Sequence, residues 1–559
     1  MRIKDFLNKK FLLLFSILLL FSPVSLPQVV YEPLYQDVYN YLRRLSQKGI
    51  IEINDLIRPL SKKYILEKLL EAEKKIDEMT SLEKEELIFF KKDYYHEMWF
   101  VNGEVGDHKH LNFFSEDPIG RWRFFSYDDS HFKMNANLIL GLEIGSLDNE
   151  KRTHFWNGIY TEGYIEDALG FSFDFRDNTE SGNTIDKNKL FTPVTGVNER
   201  SDETIYEYPS DKIEYSETKG MLATDWKWGS LAAGKDFMEW GYAENGLLVL
   251  SQKAPSFPFV RLDVYPVDWL RFNYFHGWLA SDVIDSSSIY YTDDGTERFL
   301  YRDKYIASHT LTFYPTKGLD ISIGESIVYA DELEFLYLIP VMFFRLADHY
   351  LSRQVNSAGG NAQFFTGISS RGHIKNTHLY GTLFIDEFTL NGAFDSEDQR
   401  NQLGFTLGSS VVDLPVDNLV LKLEYTKIFP FVYQHYIQTT PYATASYAMG
   451  HWMGNNTDQV YASLKYRFLR GLEATVWGRY IRQGENDNVE EIFTQPQPQF
   501  LYGLRTNHTY FGATVKYEFL HDLFVRARYQ FTETSKQQED LNFIDSSVQE
   551  FHFAVYYGL

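Results

Sequence analysis

The chain has 559 residues, a net charge of −23 and no cysteine. The lack of cysteine excludes disulfides, thiolate metal sites and a lipid anchor on a processed cysteine. The acidic balance argues against nucleic acid as a partner, because phosphates are neutralised by basic surfaces.

Aromatic residues make up 17% of the chain, yet its mean hydropathy is negative. After the N-terminus no long apolar run remains, which excludes a helical membrane protein. Abundant aromatic residues without apolar blocks are typical of a transmembrane β-barrel, which carries aromatic girdles at both membrane interfaces.

Residues 1–28 are predicted to form a signal peptide. The basic start MRIKDFLNKK precedes the apolar run FLLLFSILLLF at 11–21. This run has the length of a signal peptide and is short for a transmembrane helix. An uncleaved membrane anchor is the alternative.

Residues 31–100 are predicted to form a small helical domain in the periplasm. Gly49 is placed to end a first helix, and Ser61 can cap a second. Thr80 and Glu83 have capping-box spacing at the start of a third helix.

Residues 101–131 are predicted to be a connector. The HKH sequence at 108–110 has metal-ligating residue types, but its polar surroundings favour a plain connector, and we expect no metal or cofactor.

Residues 132–559 are predicted to form an outer-membrane barrel of about 18 antiparallel strands. In FKMNANLILGLEI (132–144) apolar residues alternate with polar ones, and similar alternation recurs to the C-terminus. A soluble antiparallel sheet would also alternate. Strands of about ten residues, joined alternately by short turns and long polar loops, favour the membrane barrel. Sixteen strands are the alternative count.

If the short turns face the periplasm, long outer loops are expected over ranges that include 146–156, 280–304, 429–456 and 534–547. The stretch WGYAENGLLVLSQKAPSFPF (240–259) is an apolar loop on the outer side, and we expect it to fold over or into the barrel mouth. The last strand, FHFAVYYGL, resembles the signal that barrel assembly machinery reads, although it ends in Leu559.

Four stretches resemble the capsule-assembly Wzi family of outer-membrane proteins. They are DVYNYLRRLSQKGIIEINDLIRPLSK (37–62), AAGKDFMEWGYAENGLLVLSQKAPSFPFVRL (232–262), ELEFLYLIPVMFFRLADHY (332–350) and HLYGTLFIDEF (378–388). The resemblance implies a large barrel with a periplasmic helical bundle, which attaches or organises capsular polysaccharide as a lectin and not as an enzyme. Ala243 and Glu244 stand where the family often has Gly or Pro, and the polar loop after 350 can differ in shape.

The partners expected on this basis are capsular polysaccharide, outer-membrane lipid and lipopolysaccharide, and the barrel assembly machinery during biogenesis. The protein is expected to be a monomer. A porin for small polar or charged solutes is the alternative function, and an outer-membrane hydrolase is a third.

Sugar binding needs flat aromatic faces and planar hydrogen-bonding groups. The candidate polysaccharide-binding residues in or beside the expected outer loops are Trp240, Tyr242, Trp278, Tyr433, Tyr436 and Trp452. For each one, packing in a girdle or loop is the alternative.

The candidate lumen charges are Arg479, Arg526 and Arg528, which could meet anionic sugars. Salt bridges to Glu473 and Glu518 would explain these arginines equally well. No catalytic residues are expected, because no G-x-S-x-G or H-E-x-x-H motif occurs and the adjacent Asp386 and Glu387 would point to opposite faces of a strand.

Overall fold

The computed structural model describes residues 29–102, 110–166, 168–185, 211–352, 359–387, 401–485, 489 and 498–558. The expected signal peptide, His108 of the HKH sequence and Leu559 lie outside the described residues. No helix in the described part of the chain is long and apolar enough to span a membrane.

Eighteen antiparallel strands form a closed barrel, as predicted. They are β1 Phe132–Leu147, β2 Glu150–Ile165, β3 Leu169–Gly182, β4 Lys212–Trp226, β5 Gly229–Asp236, β6 Phe257–Val267, β7 Leu270–Tyr291, β8 Glu297–Thr316, β9 Leu319–Ala330, β10 Asn361–Arg371, β11 Thr377–Glu387, β12 Gln402–Val412, β13 Leu419–Ile428, β14 Thr457–Leu469, β15 Leu472–Gln483, β16 Thr506–Leu520, β17 Leu523–Gln537 and β18 Phe543–Tyr557. The last strand pairs with the first, from Tyr557↔Leu140 to Glu550↔Leu147.

The alternation of side chains separates a lipid-facing surface from the lumen. Leu140, Leu142 and Ile144 of β1 are exposed on the outer face. Glu143, on the opposite face of the same strand, forms an ion pair with Arg526 at 2.8 Å. Because directly opposed residues of neighbouring strands share a face, this apolar outer belt continues around the barrel wall.

The two ends of the barrel differ, and we name them the turn end and the mouth. Tight connections such as 317–318, 470–471 and 521–522 lie at the turn end. The long segments 237–256 and 429–456 lie at the mouth.

Three of the expected long outer loops are wrong, because the strands continue through them. In the range 146–156, Asp148 and Asn149 form a tight turn, with φ of 47° and 69°. Two successive positive φ values match the right-handed twist of a hairpin. β7 and β8 fill most of 280–304, and β17 and β18 fill most of 534–547.

The range 101–131, predicted as a connector, contains a β-hairpin of His110–Glu116 and Trp122–Asp128. Its second strand pairs with the turn-end part of β1, from Phe125↔Ala136 to Asp128↔Lys133. The described connector is therefore part of the sheet.

The N-terminal domain contains four α-helices: α1 Val38–Gln47, α2 Lys62–Glu73, α3 Ser81–Lys91 and α4 Tyr95–Asn102, with short 3₁₀ turns at Ile76–Glu78 and Lys92–Tyr94. The sequence indicated the first three. The Ser61 hydroxyl accepts a hydrogen bond from the Tyr64 amide at 3.2 Å, and Thr80 and Glu83 form the expected capping box. Its core includes Leu42, Leu45, Ile65, Leu66 and Leu69, all fully buried.

This domain docks into the turn end of the barrel through ion pairs. Asp55 binds Arg371 of β10 at 2.7 Å, and Lys62 binds Glu162 of β2 at 2.5 Å. On other sides of the barrel, Asp37 pairs with Lys516, Glu86 with Arg467 and Arg44 with Asp413. The contacts are distributed around the wall, so the domain closes this end.

Candidate functional site

The segment between β5 and β6, residues 237–256, enters the lumen from the mouth. Within it, Glu239 and Trp240 pair as a short strand with Ile57 and Arg58 of the N-terminal domain. The Gly241 amide donates to the Leu56 carbonyl at 2.9 Å. Arg58 also forms an ion pair with Glu239 at 3.0 Å. Elements from the two ends of the barrel therefore meet inside it.

The meeting point is a continuous apolar core. Trp240 is 2% exposed and packs edge-on against Phe275 of β7, with ring centroids 5.1 Å apart. Leu56 and Ile57 from the turn end join the same cluster as Leu248 and Val249 from the mouth. This confirms the expectation that the apolar loop folds into the mouth, where burial of its side chains stabilises it.

A second segment, residues 429–456 between β13 and β14, covers the first. The hydroxyls of Tyr433 and Tyr442 donate to the carbonyls of Leu248 and Val249, both at 2.8 Å. These bonds satisfy backbone carbonyls that the fold has buried without sheet partners.

One close approach between the two segments occurs at a glycine. A Cβ built at Gly246 would lie 2.3 Å from Nε2 of His451, and the φ of Gly246 is +132°. Both the close approach and the backbone angle require glycine.

A cavity of about 280 Å³ lies on the mouth side of these segments. Its lining residues include Lys253, Lys304, Tyr433, Tyr447, Trp452 and Asn455. Nζ of Lys253 lies 5.2 Å from the centroid of the Tyr447 ring, and the side chains of both lysines are largely buried. Asp282, which accepts a hydrogen bond from the cavity residue Ser446 at 2.8 Å, lies near the same rim. Aromatic rings, lysine amino groups and amides thus converge on one concave surface.

The candidate sugar-binding residues separate into three groups. Tyr433 and Trp452 line the cavity, where the Trp452 indole N–H donates to the Asn245 carbonyl at 2.6 Å. Tyr436 is 57% exposed and stands beside His435 in the same segment.

The remaining three candidates lie elsewhere. Trp240 and Tyr242 are buried in the lumen, where the Tyr242 hydroxyl donates to Asp320 at 2.6 Å. Trp278 lies on β7, on the face opposite the lumen residue Phe275, and therefore faces outward. None of these three aromatic residues lines the cavity, since two pack in the lumen and one lies on the outer face.

Lys253 and Lys304 are cavity residues that the sequence pattern does not indicate. Lys304 follows strand alternation, since its neighbour Tyr305 faces outward with Tyr329. The alternation shows the direction of Lys304 only when β8 begins at Glu297, and the expected loop at 280–304 conceals it. Lys253 lies in an irregular segment, where no periodicity indicates its direction.

The three arginines face the lumen, and none of them pairs with Glu473 or Glu518, the partners considered as the alternative. Arg526 pairs with Glu143, and the Arg528 guanidinium donates to Gln530 at 2.5 Å. Arg479 stacks on Tyr510 and Trp452, with 4.0 and 4.6 Å from its guanidinium carbon to the ring centroids. The expected acids are engaged elsewhere: Glu473 binds Lys465 at 2.8 Å, and Glu518 accepts from the Asp522 amide at 3.2 Å.

The electrostatics of the N-terminal domain favour its docked position. Burial alone would raise the pKa of Asp55, but the guanidinium groups of Arg371 and Arg43 outweigh burial and hold it well below its usual range. Asp55 therefore carries its charge at neutral pH.

Among the described residues, no group of three or more His, Asp or Glu side chains is placed to hold a metal ion.

The sequence matches one protein-family model, and the fold resembles a solved outer-membrane barrel. The family model of "Capsule assembly protein Wzi" matches residues 161–543. The solved structure of Wzi from Escherichia coli, described as a carbohydrate-binding β-barrel of group 1 capsule assembly, has a TM-score of 0.56 at 11% identity, over 95% of this chain and all of that one.

Two further structures are less similar. OprD of Pseudomonas aeruginosa has a TM-score of 0.40 at 14% identity, over 81% of this chain and 98% of that one. OccAB4 of Acinetobacter baumannii has a TM-score of 0.43 at 11% identity, over 76% and 97%. No curated protein matches the sequence.

The family match covers more than half of the chain, and the E. coli structure shares the barrel fold. The chain is a member of the capsule assembly Wzi family of outer-membrane β-barrel proteins.

Proposed function

We propose that this protein attaches or organises capsular polysaccharide at the cell surface, and that it binds the saccharide in the mouth cavity without catalysing a reaction. The observation that carries the proposal is the cavity itself. Trp452, Tyr433 and Tyr447 supply aromatic surface for the C–H faces of sugar rings. Lys253 and Lys304 supply buried ammonium groups, which favour a saccharide that bears acid groups.

The orientation follows from the proposed function. The mouth faces the cell exterior, and the N-terminal domain, residues 31–100, lies in the periplasm after removal of the signal peptide 1–28. The E. coli relative, described as carbohydrate-binding in capsule assembly, supports this arrangement by fold. The proposal further includes a single copy of the chain surrounded by lipid and lipopolysaccharide, inserted by the barrel assembly machinery.

The filled lumen supports attachment over a porin function. In a porin the lumen conducts water and solutes. Here the segment 237–256 and the N-terminal domain meet in one apolar core.

The test is binding of purified capsular polysaccharide to the reconstituted barrel, with Lys304→Met as the variant. Methionine keeps the length of the side chain and removes the charge. We expect affinity to fall roughly tenfold or more, as for a lost charge-assisted hydrogen bond. The matched control is Lys317→Met, whose lysine side chain is 92% exposed at the turn end.

Equal binding by wild type and Lys304→Met would show that the saccharide does not bind in the mouth cavity. No binding by the wild type, together with steady conductance in planar bilayers, would favour the porin.

A further inference from the structure

The segment between β9 and β10 lies against the outside of the barrel wall. It contains a 3₁₀ turn at Phe335–Leu338 and the helix α5, Phe344–Leu351. The Tyr274 hydroxyl of β7 donates to the Tyr337 carbonyl at 2.9 Å, and Phe344 packs on His309 of β8 with ring centroids 4.5 Å apart. Tyr274 is next in sequence to the lumen residue Phe275, so it faces outward. We call residues 333–351 the flap.

The wall beneath the flap is unusually polar for an outer surface. Ile321 and Ile323 of β9 are exposed on the outer face. The same alternation puts Glu325, 2% exposed, on that face, about 7 Å further along the strand. On neighbouring strands His309 and the buried His276 also face outward. A carboxylate on the lipid side of a barrel is costly unless it is covered and hydrogen-bonded.

The flap supplies both the cover and the hydrogen bonds. The Glu325 carboxylate accepts from the amides of Phe344 and Arg345, at 2.9 and 2.5 Å. His276 shares a hydrogen bond with the Tyr329 hydroxyl at 2.8 Å, and the Tyr329 ring packs on Tyr337 with centroids 4.7 Å apart. These contacts fix the flap to the wall, and its removal would leave a carboxylate facing lipid.

The exposed side of the flap is mainly apolar, and it also carries the exposed residues Arg345 and His349. Phe335, Val341 and Leu346 are 71%, 78% and 63% exposed, and they are joined by Leu333, Phe343 and Tyr350. Clusters of this kind are uncommon on surfaces that face water. Phe343 of the cluster packs on Phe364 of β10, with ring centroids 5.8 Å apart. Phe364 lies opposite Glu325 in the sheet, and the exposed belt residues Ile323 and Ile368 lie further along the same outer face.

We propose that the flap is embedded in the membrane and that its exposed face binds lipid acyl chains in the leaflet on the mouth side. The observations that carry this proposal are the continuity of the face with the lipid belt and the shielded polar wall behind it. The flap then acts as an in-plane amphipathic element, built into the wall of a barrel. The proposal depends on the barrel standing in a bilayer and is independent of what the mouth cavity binds.

Because the chain lacks cysteine, single spin labels can test it directly. Labels on Val341→Cys and Leu346→Cys are compared with Ile323→Cys on the belt and Asp294→Cys in the exposed loop between β7 and β8. Each variant is reconstituted into phosphatidylcholine–phosphatidylglycerol vesicles, and its collisions with oxygen and with a water-soluble nickel chelate are measured. Val341 and Leu346 are highly exposed, so labelling leaves the packing intact.

We expect the two flap labels to collide preferentially with oxygen, as Ile323 does, while Asp294 prefers the nickel chelate. Flap labels that follow Asp294 would overturn the proposal. Dipolar broadening between flap labels would also overturn it, because the occupant would then be a second copy of the chain. The Ile323 and Asp294 references confirm that the barrel has inserted, whichever result the flap gives.

Discussion

Asp55 of the N-terminal domain and Arg371 of the barrel wall form a fully buried ion pair, although 316 positions separate them in sequence. Arg43 binds the other oxygen of the same carboxylate at 2.6 Å. One acid therefore satisfies two cations, one from each side of the contact between domain and wall.

Replacing this acid should loosen the domain. In Asp55→Asn the two guanidinium groups lose their shared carboxylate, and Arg371 keeps only the more distant Asp320 at 3.8 Å. Breaking a buried ion pair in this way costs about 3–5 kcal/mol. We expect a lower thermal midpoint, faster proteolysis within residues 29–102 and brief conductance events in planar bilayers. Lys317→Ala is the control, because its exposed pair with Glu52 contributes little. Equal melting and proteolysis in both variants would show that the pair does not hold the domain.

Trp240 joins elements from both ends of the barrel, so its truncation should weaken the closed lumen. Trp240→Ala leaves a cavity between Phe275 and Phe365 and is expected to cost about 3–5 kcal/mol. The thermal midpoint in detergent measures this cost. Trp228→Ala is the matched control, since Trp228 is 52% exposed at the turn end. A similar loss in both variants would place the effect outside the lumen core.

Gly246 offers a test of contact between the two mouth segments. In Gly246→Ala the positive φ destabilises the fold by about 1–2 kcal/mol, and the new Cβ must also displace the His451 ring. Gly295→Ala also puts alanine at a positive φ, +80°, but its Cβ meets nothing within 4 Å. We therefore expect Gly246→Ala alone to reduce polysaccharide binding and to expose 429–456 to protease. If the two alanine variants behave alike, the close approach is not needed for either property.

His96 on α4 should make docking sensitive to pH. Burial lowers the pKa of His96 to about 3 from 6.5, and the cations Arg123 and Lys133 act in the same direction. As pH falls, the unfolded chain takes up this proton near 6.5 and the folded protein only near 3. The contribution to stability is therefore complete above pH 6.5 and is lost between 6.5 and 3.

The variant His96→Gln should flatten this dependence. Thermal midpoints of the purified barrel between about pH 7.5 and pH 4.5 should fall less steeply than those of the wild type. The control is His131→Gln, whose histidine side chain is 71% exposed. An unchanged slope in His96→Gln would assign the acid sensitivity to other groups.

The barrel could be predicted from sequence because its belt alternates strictly. Leu140, Leu142 and Ile144 face lipid, and Glu143 faces the lumen. Beyond the belt both faces of a strand meet water, so alternation fades. For this reason the prediction of a loop at IDSSSIYY, 284–291, is wrong, and β7 continues through it. Alternation does not reveal the Asp148–Asn149 turn for a related reason, since mainly polar residues flank it on both strands.

The candidate site was only partly predictable. The apolar composition of 240–259 indicated burial at the mouth, and the structure confirms it. Composition does not show which aromatic ring faces a cavity, because that depends on partners far along the chain. Trp240 is buried by Ile57 and Phe275, whereas Trp452 reaches the cavity by folding back on Asn245. The contacts of Asp55 likewise follow from tertiary packing.

β18 pairs with β1 only between Leu140 and Leu147, and the turn-end part of β1, Lys133–Ala136, pairs with the 110–128 hairpin. The free edge of β1 is thus paired by two pieces of chain, the 110–128 hairpin, which is synthesised early, and β18, which is synthesised last. During folding, β1 is fully paired only when both the hairpin and β18 have docked on it. If the hairpin is absent, part of β1 is an open edge that can capture a strand from another molecule, so proteolytic loss of the N-terminal segment should lead to aggregation during biogenesis.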